Sequence, residues 1–162
     1  MINLAYLQRV LFLFAILVVI FAPTGDAQKS SHQLLPAKGV FLVARPAMET
    51  GYFSRSVVLL VEHGDEGSIG VIINRGMQVS LTEILPESLK TITDSHQLYF
   101  GGPVSLNGLT FLFRDRNGTE GSTPVLGDVY FGGGTNILKD LLEHKNKNEL
   151  RFYLGYSGWS HG

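Results

Sequence analysis

Apolar residues are distributed differently in the two parts of this chain. After residue 38, short apolar runs are separated by Gly, Pro, Asn and Asp, which is typical of β-strands bounded by turns. The residues between the second and third runs, 63–68, contain two glycines, so we expect these strands to form a hairpin. The predicted strands are residues 40–44, 57–62, 70–74, 97–100, 109–114, 129–131 and 150–155.

Two stretches have the pattern of helices. In Ser80-Leu81-Thr82-Glu83 the serine hydroxyl can accept a hydrogen bond from the third helical N–H and the glutamate can reach back, which is a capping box. We expect Pro86 to end that helix. Residues 136–144 place apolar side chains on one helical face, with Thr135 as the predicted N-cap. Because strands predominate, the predicted fold class is α+β with a largely antiparallel sheet.

The N-terminal part carries the pattern of a secretory signal peptide. Residues 10–22 are an unbroken apolar run of 13, preceded by Arg9 and followed by the small residues Gly25 and Ala27. Cleavage is expected after Ala27. An uncleaved anchor is the alternative, although the run is shorter than the roughly 20 residues of a spanning helix. We therefore expect a secreted or periplasmic protein, or one held at the membrane through residues 1–27, with residues 28–38 as a tether and the domain at 39–162.

Composition excludes several classes of function. Removing 27 of the 162 residues leaves 135, the length of one domain, and a net charge of −1. A nucleic-acid partner is disfavoured because it usually requires a basic face. There are no cysteines, which excludes disulfides, a thiolate nucleophile and a cysteine metal site. The five histidines lack the spacing of metal ligands, so no metal or other cofactor is predicted.

Four motifs in order carry a family resemblance. They are F-x-x-S-V-x-x-L-x-x-H ending at His63, G-x-x-G-x-x-x-N ending at Asn74, G-G-P-V at residues 101–104 and G-Y-x-G-W-x-x-G at residues 155–162. Over about residues 38–162 the chain resembles the AlgH/YqgE family of bacterial and plastid proteins. The resemblance implies a single domain whose sheet folds into a pseudo-barrel. The family is labelled as regulators of alginate synthesis after one of its members. That regulatory role, transcriptional or other, cannot be assigned to this chain from resemblance alone.

The sequence departs from the family pattern at both ends. Family members are mostly cytoplasmic or plastid-directed, and they continue past the last motif into a helix and a closing strand. This sequence stops at Gly162, so we expect the C-terminal helix and strand to be missing. Tyr156 and Trp159 are then expected to be the residues that such a segment would cover or, alternatively, an exposed binding patch.

The candidate binding residues follow from the same motifs. His63 and Asn74 each end a strand, and we expect them to lie together at one end of the hairpin, near a turn formed by Gly101, Gly102 and Pro103. Structural alternatives are a turn-stabilising hydrogen bond for His63, a hairpin cap for Asn74 and a tight turn for the glycines.

The leading hypothesis is a non-enzymatic binding or regulatory domain with an unknown small-molecule or protein partner. The alternative is an enzyme of unassigned type with its pocket around His63, Asn74 and the turn at residues 101–103. No catalytic residue is assigned, and the G-x-S-x-G match at residues 158–162 is interpreted as coincidence. Asp65 and Glu66 are interpreted as solvated turn residues. Asn117 lies in a sequon that would be glycosylated only in a eukaryotic secretory pathway.

Overall fold

The computed structural model describes residues 35–90, 96–135, 137–144 and 149–161. Strands and short helices alternate within these ranges as the apolar pattern indicates. In chain order the elements are β1 (Phe41–Val43), β2 (Val57–Gly64), β3 (Gly67–Ile72), β4 (Gly76–Ser80), α1 (Leu81–Ile84), α2 (Glu87–Lys90), β5 (Gln97–Phe100), β6 (Val104–Arg114), β7 (Thr123–Leu126), β8 (Val129–Gly133), α3 (Leu138–His144) and β9 (Leu150–Trp159). None of the described helices is long and apolar enough to cross a membrane. The predicted signal segment lies outside the described residues.

The strands form one curled sheet in the order β1-β2-β3-β9-β6-β8-β7. The sheet divides along β9, because its last residues pair with β3 while its first part pairs with β6 and, in parallel, with β5. β7 returns towards β2, where Thr123 Oγ1 donates to Glu62 Oε1 at 3.5 Å. Most pairings are antiparallel, so the predicted α+β class with a largely antiparallel, pseudo-barrel sheet is confirmed as a half-barrel.

The alternation of side chains in β9 gives the sheet two apolar cores. Successive strand residues point to opposite faces, so Phe152 and Tyr153, both fully buried, belong to different cores. Phe152 packs with the leucines of α1 and α3 on the outer face. Tyr153 joins Leu59 and Leu112 on the concave face, which we call the inner core. The sheet is thus covered by helices on one side and curls over itself on the other.

The predicted hairpin is confirmed, but both strands extend further towards the turn, and β3 ends at Ile72, two residues before the predicted end at Asn74. β2 and β3 remain paired as far as Gly64 opposite Gly67, so only Asp65 and Glu66 form the turn. β4 and β7 were not predicted. β7 contains Pro124, which argues against an interior strand, and it lies at the sheet edge where proline is tolerated.

The helix boundaries agree with one prediction and correct another. Glu83 Oε1 accepts a hydrogen bond from the backbone N–H of Ser80 at 2.8 Å, and α1 ends before Pro86. α3 begins at Leu138, so the predicted start at residue 136 with Thr135 as N-cap is wrong. The N–H of Leu141 donates to the carbonyl of Ile137, which places the first helical turn after the predicted cap. Asn136 lies outside the described residues.

Candidate functional site

The glycines of the third and fourth motifs bring two backbone segments into direct contact. Gly101 and Gly102 are buried, and a Cβ on either would collide with the backbone of Gly155 or Tyr156 in β9. A Cβ on Gly155 would meet the carbonyl oxygens of Gly102 and, at 2.8 Å, Val104. Gly155 also has a φ of +68°, which favours glycine. The glycines therefore allow strand packing here, rather than the approach of a ligand.

Two hydrogen bonds fix this contact. The carbonyl of Gly101 accepts from the backbone N–H of Ile72 at 2.9 Å and from the hydroxyl of the buried Ser157 at 3.1 Å. Pro103, half-buried, follows and directs the chain into β6. The turn at residues 101–103 is thus held between the end of β3 and β9, as expected for a structural tight turn.

His63 lies at the tip of the β2–β3 hairpin. It is opposite Ser68 in the strand register, and its Nδ1 is 2.7 Å from the Ser68 hydroxyl oxygen. Both side chains reach the surface, beside the exposed turn residues Asp65 and Glu66. The hydrogen bond joins the two strands next to the turn, which is the turn-stabilising role expected as the alternative for His63.

Asn74 lies at the other end of the hairpin. Its Oδ1 accepts from the backbone N–H of Val57 at 2.9 Å, and its Nδ2 donates to the carbonyl of Arg55 at 3.0 Å. The adjacent Arg75, which the sequence did not single out, donates to the carbonyls of Tyr52 at 2.8 Å and Ser54 at 2.9 Å. Together these side chains hold residues 52–56 against the start of β2.

The expectation that His63, Asn74 and the turn at residues 101–103 meet at one end is wrong. In an antiparallel hairpin the end of the second strand lies beside the start of the first, so Asn74 neighbours Val57. His63 is six residues further along β2, which at ~3.3 Å per residue separates the two by roughly 20 Å. The pocket on which the enzyme alternative depended is therefore not formed.

A different set of residues surrounds a cleft beside the tip of the β2–β3 hairpin. We call it the hairpin cleft; its volume is about 570 Å³. It is lined by the β2–β3 hairpin, by Val104 of β6 and by the adjacent end of β9, including Tyr156, Trp159 and Ser160. Of the sequence candidates, this cleft brings together His63, Tyr156 and Trp159. Asn74, Gly101, Gly102 and Pro103 do not line it.

Trp159 is held in place by the loop that Asn74 and Arg75 fix. The ring of Phe53, from that loop, stacks on Trp159 with 5.6 Å between centroids. Trp159 remains 36% exposed, so part of it faces solvent. Tyr156 is half-buried and packs against the inner core. Asn74 is thus connected to the cleft indirectly, through the loop and Phe53.

The charges around the hairpin cleft all have the same sign. Glu62, Asp65 and Glu66 are exposed carboxylates in its wall, and no Lys or Arg of the described chain lines it. No group of three or more His, Asp or Glu side chains in the described ranges is placed to hold a metal ion. Three exposed carboxylates without a neighbouring lining cation favour a positively charged group over an anion.

The G-x-S-x-G match does not form a nucleophile elbow in the described residues. Gly158 and Trp159 are paired strand residues of β9, opposite β3, and Ser160 follows the strand end. A nucleophile elbow requires a sharp turn from a strand into a helix. The sequence match therefore has no corresponding geometry here.

Comparisons with known proteins agree with this fold. The AlgH-like family model (DUF179) matches residues 41–162. A UPF0301 protein of Cytophaga hutchinsonii is 38% identical over 125 residues, covering 75% of this chain and 67% of the relative. A UPF0301 protein of Bacteroides fragilis is 37% identical over 131 residues, covering 80% and 65%. The chain thus spans about two thirds of the length of the curated relatives it matches.

Two solved structures are similar to the described fold. A crystal structure of a Corynebacterium diphtheriae protein has a TM-score of 0.64 and 25% identity, covering 80% of this chain and 69% of that one. The solution structure of the AlgH protein from Pseudomonas aeruginosa has a TM-score of 0.61 and 27% identity, covering 80% and 72%. The family match over most of the chain and these relatives lead to one conclusion: the chain belongs to the AlgH-like family.

Proposed function

We propose that this domain is a non-catalytic binding domain whose hairpin cleft takes a positively charged group of a small molecule or protein segment. The observation that carries the proposal is the cleft itself, whose lining contains Tyr156, Trp159 and three carboxylates and no described Lys or Arg. Its volume of about 570 Å³ lies within the ~300–1,000 Å³ of small-ligand sites.

Each part of the cleft has a role in the proposed binding. A cation over an aromatic ring gains about 0.5–1 kcal/mol at an exposed site and ~2 kcal/mol when desolvated. The carboxylates of Asp65 and Glu66 lie in a two-residue turn, where the strand pairing fixes the backbone. Because these carboxylates are exposed, their attraction for a cation is screened by salt, and together they select for positive charge.

Calorimetric titration with a lysine-rich peptide tests the proposal. We expect binding by the wild type that weakens with added salt and is lost, or reduced about tenfold, in an Asp65→Asn/Glu66→Gln double variant. The matched control is Glu143→Gln, which removes a carboxylate from α3 on the outer face. Equal binding by the wild type and the double variant would contradict the proposal, as would loss of binding in the control.

One contact favours an enzyme as the second candidate. The 2.7 Å approach of His63 Nδ1 to the Ser68 hydroxyl is the geometry of a base beside a nucleophile. Such a pair requires a third group to orient the imidazole, and no described residue hydrogen-bonds to His63 Nε2. Hydrolysis of p-nitrophenyl acetate by the wild type but not by Ser68→Ala would establish the enzyme; the binding proposal expects no Ser68-dependent turnover.

We also propose that the domain is delivered to the membrane or beyond it by residues 1–27. The support is the apolar run 10–22 with Gly25 and Ala27 after it. Export would bring the hairpin cleft into contact with partners outside the cytoplasm. The position of the mature N-terminus tests this part separately from the binding proposal.

A further inference from the structure

A second cleft lies beside the inner core. We call it the inner cleft; its volume is about 280 Å³, near the lower end for small-ligand sites. Its walls are mainly apolar and come from β1, β2, β6, β8 and β9. They include Phe41, Leu59, Leu112, Val129, Arg151 and Tyr153.

Tyr153 contributes a buried hydroxyl to this cleft. The side chain has 0% exposure, and its hydroxyl proton has no acceptor among the described residues. Burial raises the pKa of Tyr153 to about 12, against the opposing charge of the Arg151 guanidinium and its donation to the hydroxyl oxygen, so the group is protonated at neutral pH. Arg151 can only donate, and its proximity leaves the hydroxyl proton without an acceptor. Buried donors are almost always paired, so this one indicates an acceptor atom supplied from outside the described chain.

Arg151 provides a positive charge beside that hydroxyl. Its guanidinium lies 5.2 Å from the ring centroid of Tyr99, and it forms no ion pair with a described carboxylate. Arg114, which also lines the cleft, is by contrast held by Asp128 at 2.7 Å. Glu149, the carboxylate of the lining, is itself engaged in an interaction. Arg151 is therefore the lining cation available to a ligand.

We propose that the inner cleft binds a small carboxylate with an apolar tail. In this arrangement the carboxylate pairs with Arg151 and accepts the hydrogen bond of the Tyr153 hydroxyl, while Leu59 and Leu112 contact the tail. Arg151 is exposed, and in the proposed complex its guanidinium turns from Tyr99 to the carboxylate. A carboxylate fits because its two oxygens can accept from both donors at once. This site is independent of the hairpin cleft and does not depend on the function proposed for it.

Octanoate is the test ligand, and octylamine is the control of equal chain length and opposite charge. We expect octanoate, and not octylamine, to raise the melting temperature of the full chain by mass action. Calorimetry should show octanoate affinity reduced about tenfold or more in Arg151→Gln and in Tyr153→Phe, since each removes one polar contact. Arg116→Gln, an exposed arginine outside the cleft lining, should bind like the wild type.

Two outcomes would overturn the inference. Equal stabilisation by octanoate and octylamine would mean that the alkyl chain alone binds. Unchanged octanoate affinity in both Arg151→Gln and Tyr153→Phe would mean that the carboxylate binds elsewhere. Tyr153→Phe removes the hydroxyl and retains the ring. If circular dichroism shows that this variant is folded, a change in its octanoate affinity is due to the hydroxyl and not to unfolding.

Discussion

Replacing Gly155 with alanine tests the contact between the glycine motifs. Gly155 has a φ of +68°, and a Cβ there would meet the carbonyl oxygens of Gly102 and Val104. These are backbone atoms within a paired sheet, so a rotamer change cannot relieve the collision. Either the turn at residues 101–103 separates from β9, or β9 changes its path.

Two effects add to give the expected loss of stability. The left-handed conformation costs an L-residue roughly 1–2 kcal/mol, and overpacking of a filled site costs about 1–3 kcal/mol. Gly155→Ala should therefore lower the free energy of unfolding by about 2–5 kcal/mol, out of the ~5–15 kcal/mol typical of a domain.

Gly127→Ala is the matched control. Gly127 has a φ of +57°, and a Cβ there would meet nothing within 4 Å. This substitution carries the backbone strain without the collision, so we expect a loss of about 1–2 kcal/mol. Urea denaturation measures both variants, and at a slope of ~2 kcal/mol per molar a difference of 2 kcal/mol separates the midpoints by about 1 M. Equal midpoints would refute the claim that packing between the motifs requires the glycine.

Three further predictions concern other parts of the molecule. Tyr153→Phe should leave the free energy of unfolding unchanged or raise it by about 1 kcal/mol, because it removes a buried hydroxyl whose proton has no acceptor; a clear loss in urea denaturation would mean that the hydroxyl proton has an acceptor. Asn74→Ala should cost about 1–3 kcal/mol and shift the Trp159 emission, because the loop carrying Phe53 is released; unchanged emission would mean that this loop does not determine the environment of Trp159. N-terminal sequencing of the cell-associated and secreted protein should find Gln28 first, or an uncleaved chain in the membrane fraction; an uncleaved soluble cytoplasmic chain would contradict export.

Local sequence patterns predicted the parts of the fold that depend on near neighbours. The β2–β3 hairpin follows from two apolar runs joined by a short Gly-containing segment, and the α1 start follows from Ser80 and Glu83. The start of α3 was misplaced, because its first turn begins after Thr135. Short polar strands such as β4 have little hydrophobic signal, so they are recognised only from their partner, β5.

The cleft depended on information that no local pattern contains. Trp159 reaches the hairpin because β9 pairs with β3, placing it opposite Ser68. The sequence identified the residues at positions 63, 156 and 159 as candidate binding residues. It did not predict that they line the same cleft. Asn74 was placed at the wrong end of the hairpin, because the prediction did not take into account that the two strands run in opposite directions. Arg75 acts on residues more than twenty positions earlier in the chain, and nothing in its immediate sequence indicates that role.

The central claim is that the hairpin cleft binds a positively charged group against its aromatic residues. Trp159 is the only tryptophan in the chain, so any change in tryptophan emission during a titration is a change at Trp159. Titration with pentalysine and, separately, with pentaglutamate at low ionic strength makes the comparison directly. The proposal predicts a saturable change in Trp159 emission with pentalysine, absent with pentaglutamate and absent in the Asp65→Asn/Glu66→Gln variant. No change with pentalysine, or an equal change in that variant, would contradict it.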